Sequence, residues 1–485
     1  MSEDIRRARI EKLKKLRDLG IIPYADKFKC SHTLLEAIAL PDGEPVRVAG
    51  RMITKRSFGK LIFAHLFDRS GRAQVSFQEN KLSEEQFKMV KTLVDIGDFI
   101  GIEGELWTTR RGERTIGSKS ITFLSKSLRG LPEKWHGLQD KELCYRQRYL
   151  DLITNENTRK RFILRSKIIS YIRKFLDEHD FIEVETPILQ AAASGAAARP
   201  FITYHNFLKS NLYLRISPET YLKRLVVGGF ERVYELSRNF RNEDVDPSHL
   251  PEFTMLEWYA AYWNFRDNMK FIQELIQSIL LKFLNTTKIE YRGITLDFGG
   301  NWPEISYIDA VKKETKIDLR KYKTYDELAD AIRKYKPEIN PDEYKSHPAL
   351  IDGLYKKTVR PKLIQPTFLT YHPSELVPLA RRNDENPGIL NMFQVVVNTW
   401  EIVKAYSELI DPLEQYQRMI QQQKYREKGD DETMMMEKDY IECMEYGMPP
   451  NSGLGLGIDR ITAIITNSES LRDVILFPTL KIDKP

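Results

Sequence analysis

Three short stretches concentrate side chains able to do polar chemistry. The first runs from Phe230 to Tyr262 and carries Arg238, Arg241, Glu243, His249, Glu252 and Glu257 within an otherwise apolar and aromatic segment. The second is Asn451 to Arg460, NSGLGLGIDR, with glycines at every second position and an arginine at its end. The third is the YSEL run ending at Leu409, whose Glu408 read alone is as well an ordinary strand-edge acid. A guanidinium is planar and forks onto carboxylate or phosphate oxygens. A buried carboxylate persists only when paired or bound to a cation, so these residues fit a site for a small charged ligand. Glycine lets backbone approach such a ligand closely, although a glycine-rich run by itself more often marks only a tight turn. A solvated hairpin with surface ion pairs is the other reading of the first stretch.

The elements that must position these residues are legible. Arg232 to Arg241 and Glu252 to Ala261 are β-prone runs around a turn holding Asp244, Asp246, Pro247 and Ser248, which predicts an antiparallel hairpin. Apolar residues Ile163, Ile168, Ile169, Ile172, Phe175 and Leu176 recur at helical spacing and predict a helix over about Arg159 to His179, packed on a core or a subunit interface. Nearer the start the period becomes two. VRVAGRMI, KLIFAHLFD, RAQVSFQ, GDFIGIEGELW and RTIGSKSITFL make five strands between Pro45 and Ser125, with a helix near Ser83 to Val94 after the third. That layout suits an OB-fold, whose open face takes single-stranded nucleic acid, or another small barrel. Arg51, Phe63, His65, Arg72 and Gln74 are its candidate contacts: an aromatic to stack bases, and polar groups to read their edges. Ile5, Ile10, Leu13 and Leu16 stripe a basic helix over residues 4–18, whose charges either stay solvated or meet a nucleic-acid backbone.

Composition limits the classes of function. The chain has 485 residues and 41% hydrophobic content, enough for two or three domains. No 18-residue apolar run and no signal peptide are present, which predicts a protein that does not enter a membrane. Cys30, Cys144 and Cys443 are far apart and form no CxxC pair, as expected of a reducing, cytoplasmic compartment. The net charge is +6, yet residues 1–130 hold 25 Lys+Arg against 17 Asp+Glu, so the remainder is slightly acidic. The basic surplus belongs to the N-terminal part, as binding to a polyanion requires.

FRNE followed by PEFTMLEWY resembles motif 2 of the class II aminoacyl-tRNA synthetases, NSGLGLGIDR resembles motif 3, and EVETP at Glu183 to Pro187 resembles motif 1. ARPFITYHN at Ala198 to Asn206, YLKRLVVGGFERVYELSRNFRNE, and PLARRN at Pro378 to Asn383 are similar to the lysyl-tRNA synthetases within that class. The resemblance implies an α+β protein: an N-terminal five-stranded OB-fold barrel and a catalytic domain built on an antiparallel sheet flanked by helices. It implies a basic lead-in at 1–44, an anticodon-binding domain at 45–127, a linker at 128–149, and a catalytic domain at 150–485 with a helical insertion at about 322–367. The implied reaction joins L-lysine to tRNA(Lys) through a lysyl-adenylate made from ATP with Mg2+, in a homodimer formed through motif 1. A paralogue that lysylates protein, a synthetase for aspartate or asparagine, and a non-catalytic amino-acid sensor are the competing readings.

Residue by residue, Arg241 matches the motif 2 arginine bridging carboxylate and α-phosphate, and Arg460 the motif 3 arginine on the γ-phosphate. Glu243, His249 and Phe253 match contacts to adenine and the triphosphate. Gly453, Gly455 and Gly457 match backbone beside ATP. Glu408 and Tyr259 match the pair that binds the ε-ammonium; Glu219 and Gly195 match contacts to the α-amino group; Glu257, Lys404 and Tyr406 complete the lysine pocket. Two departures occur. The family's second metal-binding glutamate, seven residues before Glu401, is Gln394 here, and a neutral amide is the weaker Mg2+ ligand. The asparagine of its EIxN run is Lys404, which is able to assist the substrate carboxylate electrostatically.

Overall fold

Alternating apolar residues close the first part of the chain into a barrel. Strands β1 (Pro45–Phe58), β2 (Leu61–Phe67), β3 (Arg72–Gln78), β4 (Phe99–Thr108) and β5 (Arg114–Ser125) follow in the order β1-β2-β3-β5-β4. Val48, Met52, Ile62, Leu66, Val75, Phe77, Ile100, Ile102 and Ile116 fill the interior. The helix Glu84–Thr92, capped by the Ser83 hydroxyl, connects β3 to β4 as expected. Gly104 marks a close approach across the barrel wall, since a Cβ there would lie 2.1 Å from the Gly117 carbonyl oxygen. The computed structural model describes residues 2–132, 140–196, 198–427 and 433–481 and divides into two units, Met1–Gln139 and Asp140–Pro485.

The N-terminal helix Ser2–Asp18 buries Leu13 and Leu16, whereas Ile5 is left 41% exposed. Two of its basic residues are structural. Arg9 donates to the carbonyls of Ile96, Ser127 and Arg129, and Lys12 pairs with Asp95 at 2.5 Å. Arg7, Lys14, Lys15 and Arg17 face solvent. Below them Lys126 is fully buried and donates to Asp95 and Asp98, each at 2.7 Å, and to the Leu93 carbonyl at 2.9 Å.

The second unit is built on an eight-stranded sheet. Its strands are β6 (Ile182–Glu183), β10 (Arg232–Phe240), β11 (Glu252–Ala261), β14 (Glu304–Ser306), β15 (Thr367–Thr370), β16 (Met392–Val397), β17 (Trp400–Ser407) and β18 (Asn451–Gly457), in the order β14-β15-β16-β17-β18-β11-β10-β6. It is antiparallel except at its two edges, where β14 and β6 run parallel to their neighbours. A three-stranded sheet of β7 (Leu189–Gln190), β9 (Ser210–Leu214) and β8 (Ile202–His205), and the hairpin of β12 (Lys288–Tyr291) and β13 (Ile294–Asp297), complete the strands. Helices Glu156–Asp177 and Phe265–Leu284 pack on one face of the large sheet through Ile168, Ile172, Phe271, Ile272, Leu275 and Ile279. Trp258 Nε1 donates to Asn268 Oδ1 at 2.7 Å, and Asn268 donates on to Ser452 Oγ at 2.8 Å, which ties the second helix to β11 and β18.

The helical segment expected at about 322–367 packs together with the preceding helix Tyr307–Thr315, whose Tyr307, Ile308 and Val311 share a core with Leu328, Ile332, Leu350 and Leu354. The linker expected at 128–149 does not extend past 139. Helices Lys141–Arg146 and Arg148–Thr154 occupy this stretch, and Arg148 is buried against the C-terminal segment, donating to the carbonyls of Leu476 and Arg472 and pairing with Asp151 at 2.6 Å. Residues 133–139 and 428–432 lie outside the described residues. The three cysteines are free, and among the described residues no helix is long and apolar enough to cross a membrane.

Lys126→Met takes the ammonium from the buried Asp98 carboxylate, whereas the half-buried Asp95 keeps Lys12, so the first unit loses about 3 kcal/mol. Amide hydrogen exchange of β4 and β5 in the full chain reads this loss, and unchanged protection would contradict it.

Candidate active site

Strand register assembles the site. Across four neighbouring strands, Glu257 lies opposite Gly455, Gly455 opposite Lys404, and Lys404 opposite Gln394. The adjacent row reads Tyr259, Gly453, Tyr406, and on the other side Met255 lies opposite Gly457. Successive residues of a strand point to opposite faces, so Glu257, Tyr259, Lys404 and Tyr406 project from one face across the glycines of β18. Gly453 is sterically required, because a Cβ there would lie 2.2 Å from the Tyr259 ring and 2.6 Å from Glu408.

Over this floor lies a cavity of about 260 Å³. Of the expected residues, Gly195, Glu219, Arg241, Glu243, His249, Phe253, Glu257, Tyr259, Glu401, Lys404, Tyr406, Gly453, Gly455, Gly457 and Arg460 line it. Glu408 and Gln394 do not.

One end is rich in carboxylates. Glu219, at the start of the helix Glu219–Val227, accepts from the Tyr406 hydroxyl at 2.7 Å. Lys223, one turn on, pairs with Glu219 at 2.6 Å and also with Glu408. Burial works against the Lys223 ammonium, but the two carboxylates outweigh it and hold it above the usual lysine range. Burial pushes the Glu408 carboxyl up, against the pull of Lys223; with a buried ammonium on one oxygen and the Gly453 N–H at 3.1 Å on the other, the pair stays ionised. Glu408 therefore sits behind the cavity wall, already partnered. Among the described residues no ammonium pairs with Glu257. The Ser217 hydroxyl bonds its carboxyl at 2.8 Å, and burial together with the Glu219 charge pushes it up to about 8. Gly195, at φ +86°, packs closely on Ser217 and Glu219, and that backbone conformation disfavours a side chain.

The other end is cationic. Arg241 follows β10 and lies over the Phe253 ring, 5.0 Å from its centroid, with its Nε buried and unpartnered. Arg460, in the first turn of the helix Ile458–Ile465, donates to the Glu401 carbonyl at 2.5 Å and reaches His249 Nε2 at 3.3 Å. His249 Nδ1 faces Asp246 at 2.9 Å, so a neutral ring donating to Asp246 and accepting from Arg460 satisfies both contacts. Asp459 anchors the same turn through Arg165 at 2.6 Å and the Thr254 N–H at 2.8 Å. Lys404 projects between the two ends, and no ion pair to it is found among the described residues.

Gln394 departs from the expectation of a metal ligand. Burial pulls His372 down to about 3, so its ring is neutral; its Nε2 lies 3.2 Å from the Gln394 carbonyl oxygen, while the Gln394 amide nitrogen donates to Glu401. The oxygen that would bind a cation is turned away from the cavity. Glu401 remains as the carboxylate at this position, and no cluster of three metal-ligating side chains occurs among the described residues.

In the first unit, register sets the five expected contacts on one outer face. Arg51, Phe67 and Arg72 form one row, Thr54, His65 and Gln74 a second, and Arg56, Phe63 and Ser76 a third. Arg51 is partly committed elsewhere, packed over Phe99 at 4.2 Å and donating to the Gly97 carbonyl at 3.1 Å. Glu113, not anticipated, lies beside His65 at 3.5 Å. Lys223 and Ser217 were also missed. The spacing Glu219–Lys223 is a visible i,i+4 pair, but such pairs are ordinarily a surface feature.

A cavity with ammonium-seeking carboxylates at one end and arginines at the other suits a small amphoteric ligand joined to a larger anion. The family model for class II tRNA synthetases (D, K and N) matches residues 140–481, and one for the OB-fold nucleic acid binding domain matches 46–124. The lysine–tRNA ligase of Pelotomaculum thermopropionicum is 47% identical over 99% of this chain and 95% of its own length. That of Aquifex aeolicus is 47% identical over 92% of this chain and 74% of its own, and that of Syntrophomonas wolfei 45% over 99% and 97%.

The Glu257 carboxyl generates a pH dependence. It holds its proton to about 8 when folded but ionises near 4.5, the ordinary glutamate value, when unfolded. The stability it contributes is full below the lower value and is lost as pH rises through the upper one. Glu257→Gln removes that titration, so the variant gains stability relative to the parent between about pH 5 and about pH 9. Melting temperatures of both proteins across this range test it, and a constant gap would disprove the assignment.

Proposed function

The chain belongs to the class II (D, K and N) tRNA synthetases, and from that premise we propose that it is a lysine–tRNA ligase. It activates L-lysine with ATP and transfers it to the 3′ end of tRNA(Lys). One observation supports lysine above the other substrates of the group. Glu219, Glu257 and Glu408 are three buried carboxylates, and Lys223 supplies one internal ammonium. Two negative charges are left, matching the two ammonium groups of lysine, while an acidic side chain would be repelled. With the proton on Glu257 the free site keeps one negative charge, and that proton leaves when the dication enters.

Activation brings the lysine carboxylate onto the α-phosphorus of ATP, so the protein must position two anions and neutralise them. Arg241 is suited to fork across the carboxylate and the α-phosphate. Arg460, steadied by the Glu401 carbonyl and His249, is suited to the far end of the triphosphate. Glu243 and Phe253 then face the adenine. Lys404 adds a cation near the reacting carboxylate. A Mg2+ ion fits beside Glu401, since this ion is commonly held by one or two carboxylates with substrate phosphates; bound there, it supplies charge neutralisation to the triphosphate.

The outer face of the barrel, in the unit that carries the basic surplus, is suited to the anticodon. The strands around motif 1 expose Ile182, Leu189, Ile202, Tyr204 and Phe207, the last 88% exposed, and an apolar surface of this kind favours a homodimer. A cytoplasmic location follows from a role in translation.

The test is ATP–pyrophosphate exchange with each of the twenty amino acids, in which lysine alone supports rapid exchange. Arg241→Ala and Arg460→Ala each lose about 2.7–4 kcal/mol of transition-state stabilisation, with unchanged circular dichroism. Near-normal exchange in either would refute its role. Lys404→Asn weakens lysine binding by about 1 kcal/mol once desolvation offsets most of the Coulomb term, and leaves lysine the preferred substrate.

A further inference from the structure

At the carboxylate end the protein has built an ammonium site and filled it with its own side chain. Lys223 Nζ is fully buried, bonded to Glu219 at 2.6 Å and to Glu408. The rings of Tyr259, Tyr406 and Tyr440 surround it at 5.9, 5.7 and 6.0 Å. Carboxylates and aromatic faces together are what a desolvated ammonium requires. Glu219, Tyr259 and Tyr406 also line the amino-acid cavity, so Lys223 stands directly behind its end wall. The Tyr440 hydroxyl is buried with no hydrogen-bond partner.

We propose that Lys223 is a specificity-determining residue that closes the amino-acid cavity with a charge of the substrate's own sign. This rests on the reading of the site as a lysine site. Two consequences follow from its chemistry. Its length fixes how deep a side-chain cation reaches, so the bulkier guanidinium of arginine is driven against a like charge with no space to spread. Its charge cancels one carboxylate, so the cavity offers counter-charge for one side-chain ammonium and one α-ammonium. Without Lys223 the groups facing the vacated position are Glu219, Glu408, Tyr259, Tyr406 and Tyr440, with Glu257 beyond them, and the carboxylates would take up a proton in its place.

Lys223→Met keeps the unbranched stem, one atom shorter, and removes the charge. Calorimetry of lysine binding in buffers of differing ionisation enthalpy then shows about one more proton released per lysine bound than in the parent. In pyrophosphate exchange the ratio of arginine to lysine use rises by about ten-fold or more, the scale on which pocket shape discriminates. Lys223→Arg keeps the charge and adds bulk; its proton count matches the parent, and ornithine gains on lysine several-fold. Unchanged proton release and an unchanged arginine-to-lysine ratio in folded Lys223→Met would overturn the proposal. If that variant does not fold, an unchanged ornithine-to-lysine ratio in Lys223→Arg overturns it instead. A parent protein that neither binds nor activates lysine would remove the lysine site itself, a different failure.

Discussion

Three carboxylates buried within one face of a sheet set the terms for the rest of the catalytic unit. An isolated buried carboxylate is strongly unfavourable, so each must be answered by a cation, a hydrogen-bond donor or a proton. Glu408 is answered by Lys223 and the Gly453 N–H, Glu219 by Lys223 and the Tyr406 hydroxyl, and Glu257 by Ser217 and its own proton. The arrangement is stable without a ligand, yet it leaves charge that a dicationic ligand satisfies better than a proton does.

Sheet register makes this economical. Glu257, Lys404 and Tyr406 come from strands that flank β18, and every β18 residue facing the site is glycine. Side chains on the flanking strands thus lean over bare backbone rather than over each other. The hydrogen-bonded chain from Trp258 through Asn268 to Ser452 locks β11 to β18 from the opposite side, so the register cannot slip without losing a buried polar pairing.

At the cationic end the same logic runs with signs reversed. Arg241 and Arg460 have few protein acceptors and are held by packing, by one carbonyl and by a neutral histidine. Gln394, turned by His372, donates to Glu401 and fixes that carboxylate without adding negative charge. With Lys404 opposite, this corner carries less negative charge than two acidic residues would.

Much of this was legible in the chain. Period-two alternation marked all five barrel strands, and the hairpin bounds at Arg232 and Glu252 agree with the folded strands, because both signals depend on local steric and solvation preferences. The motifs named the residues that gather in one cavity. Other features depended on which distant groups become neighbours. Lys223 reads as half of a helical surface pair until β17 brings Glu408 against it. Gln394 reads as a weak metal ligand until His372, twenty-two residues away, takes its oxygen. Residues 141–149 read as a linker until Arg148 finds carbonyls more than three hundred residues later. Local pattern decides what a segment forms and which face it buries; the ionisation and orientation of a buried polar group depend on its partners, and only tertiary structure chooses those.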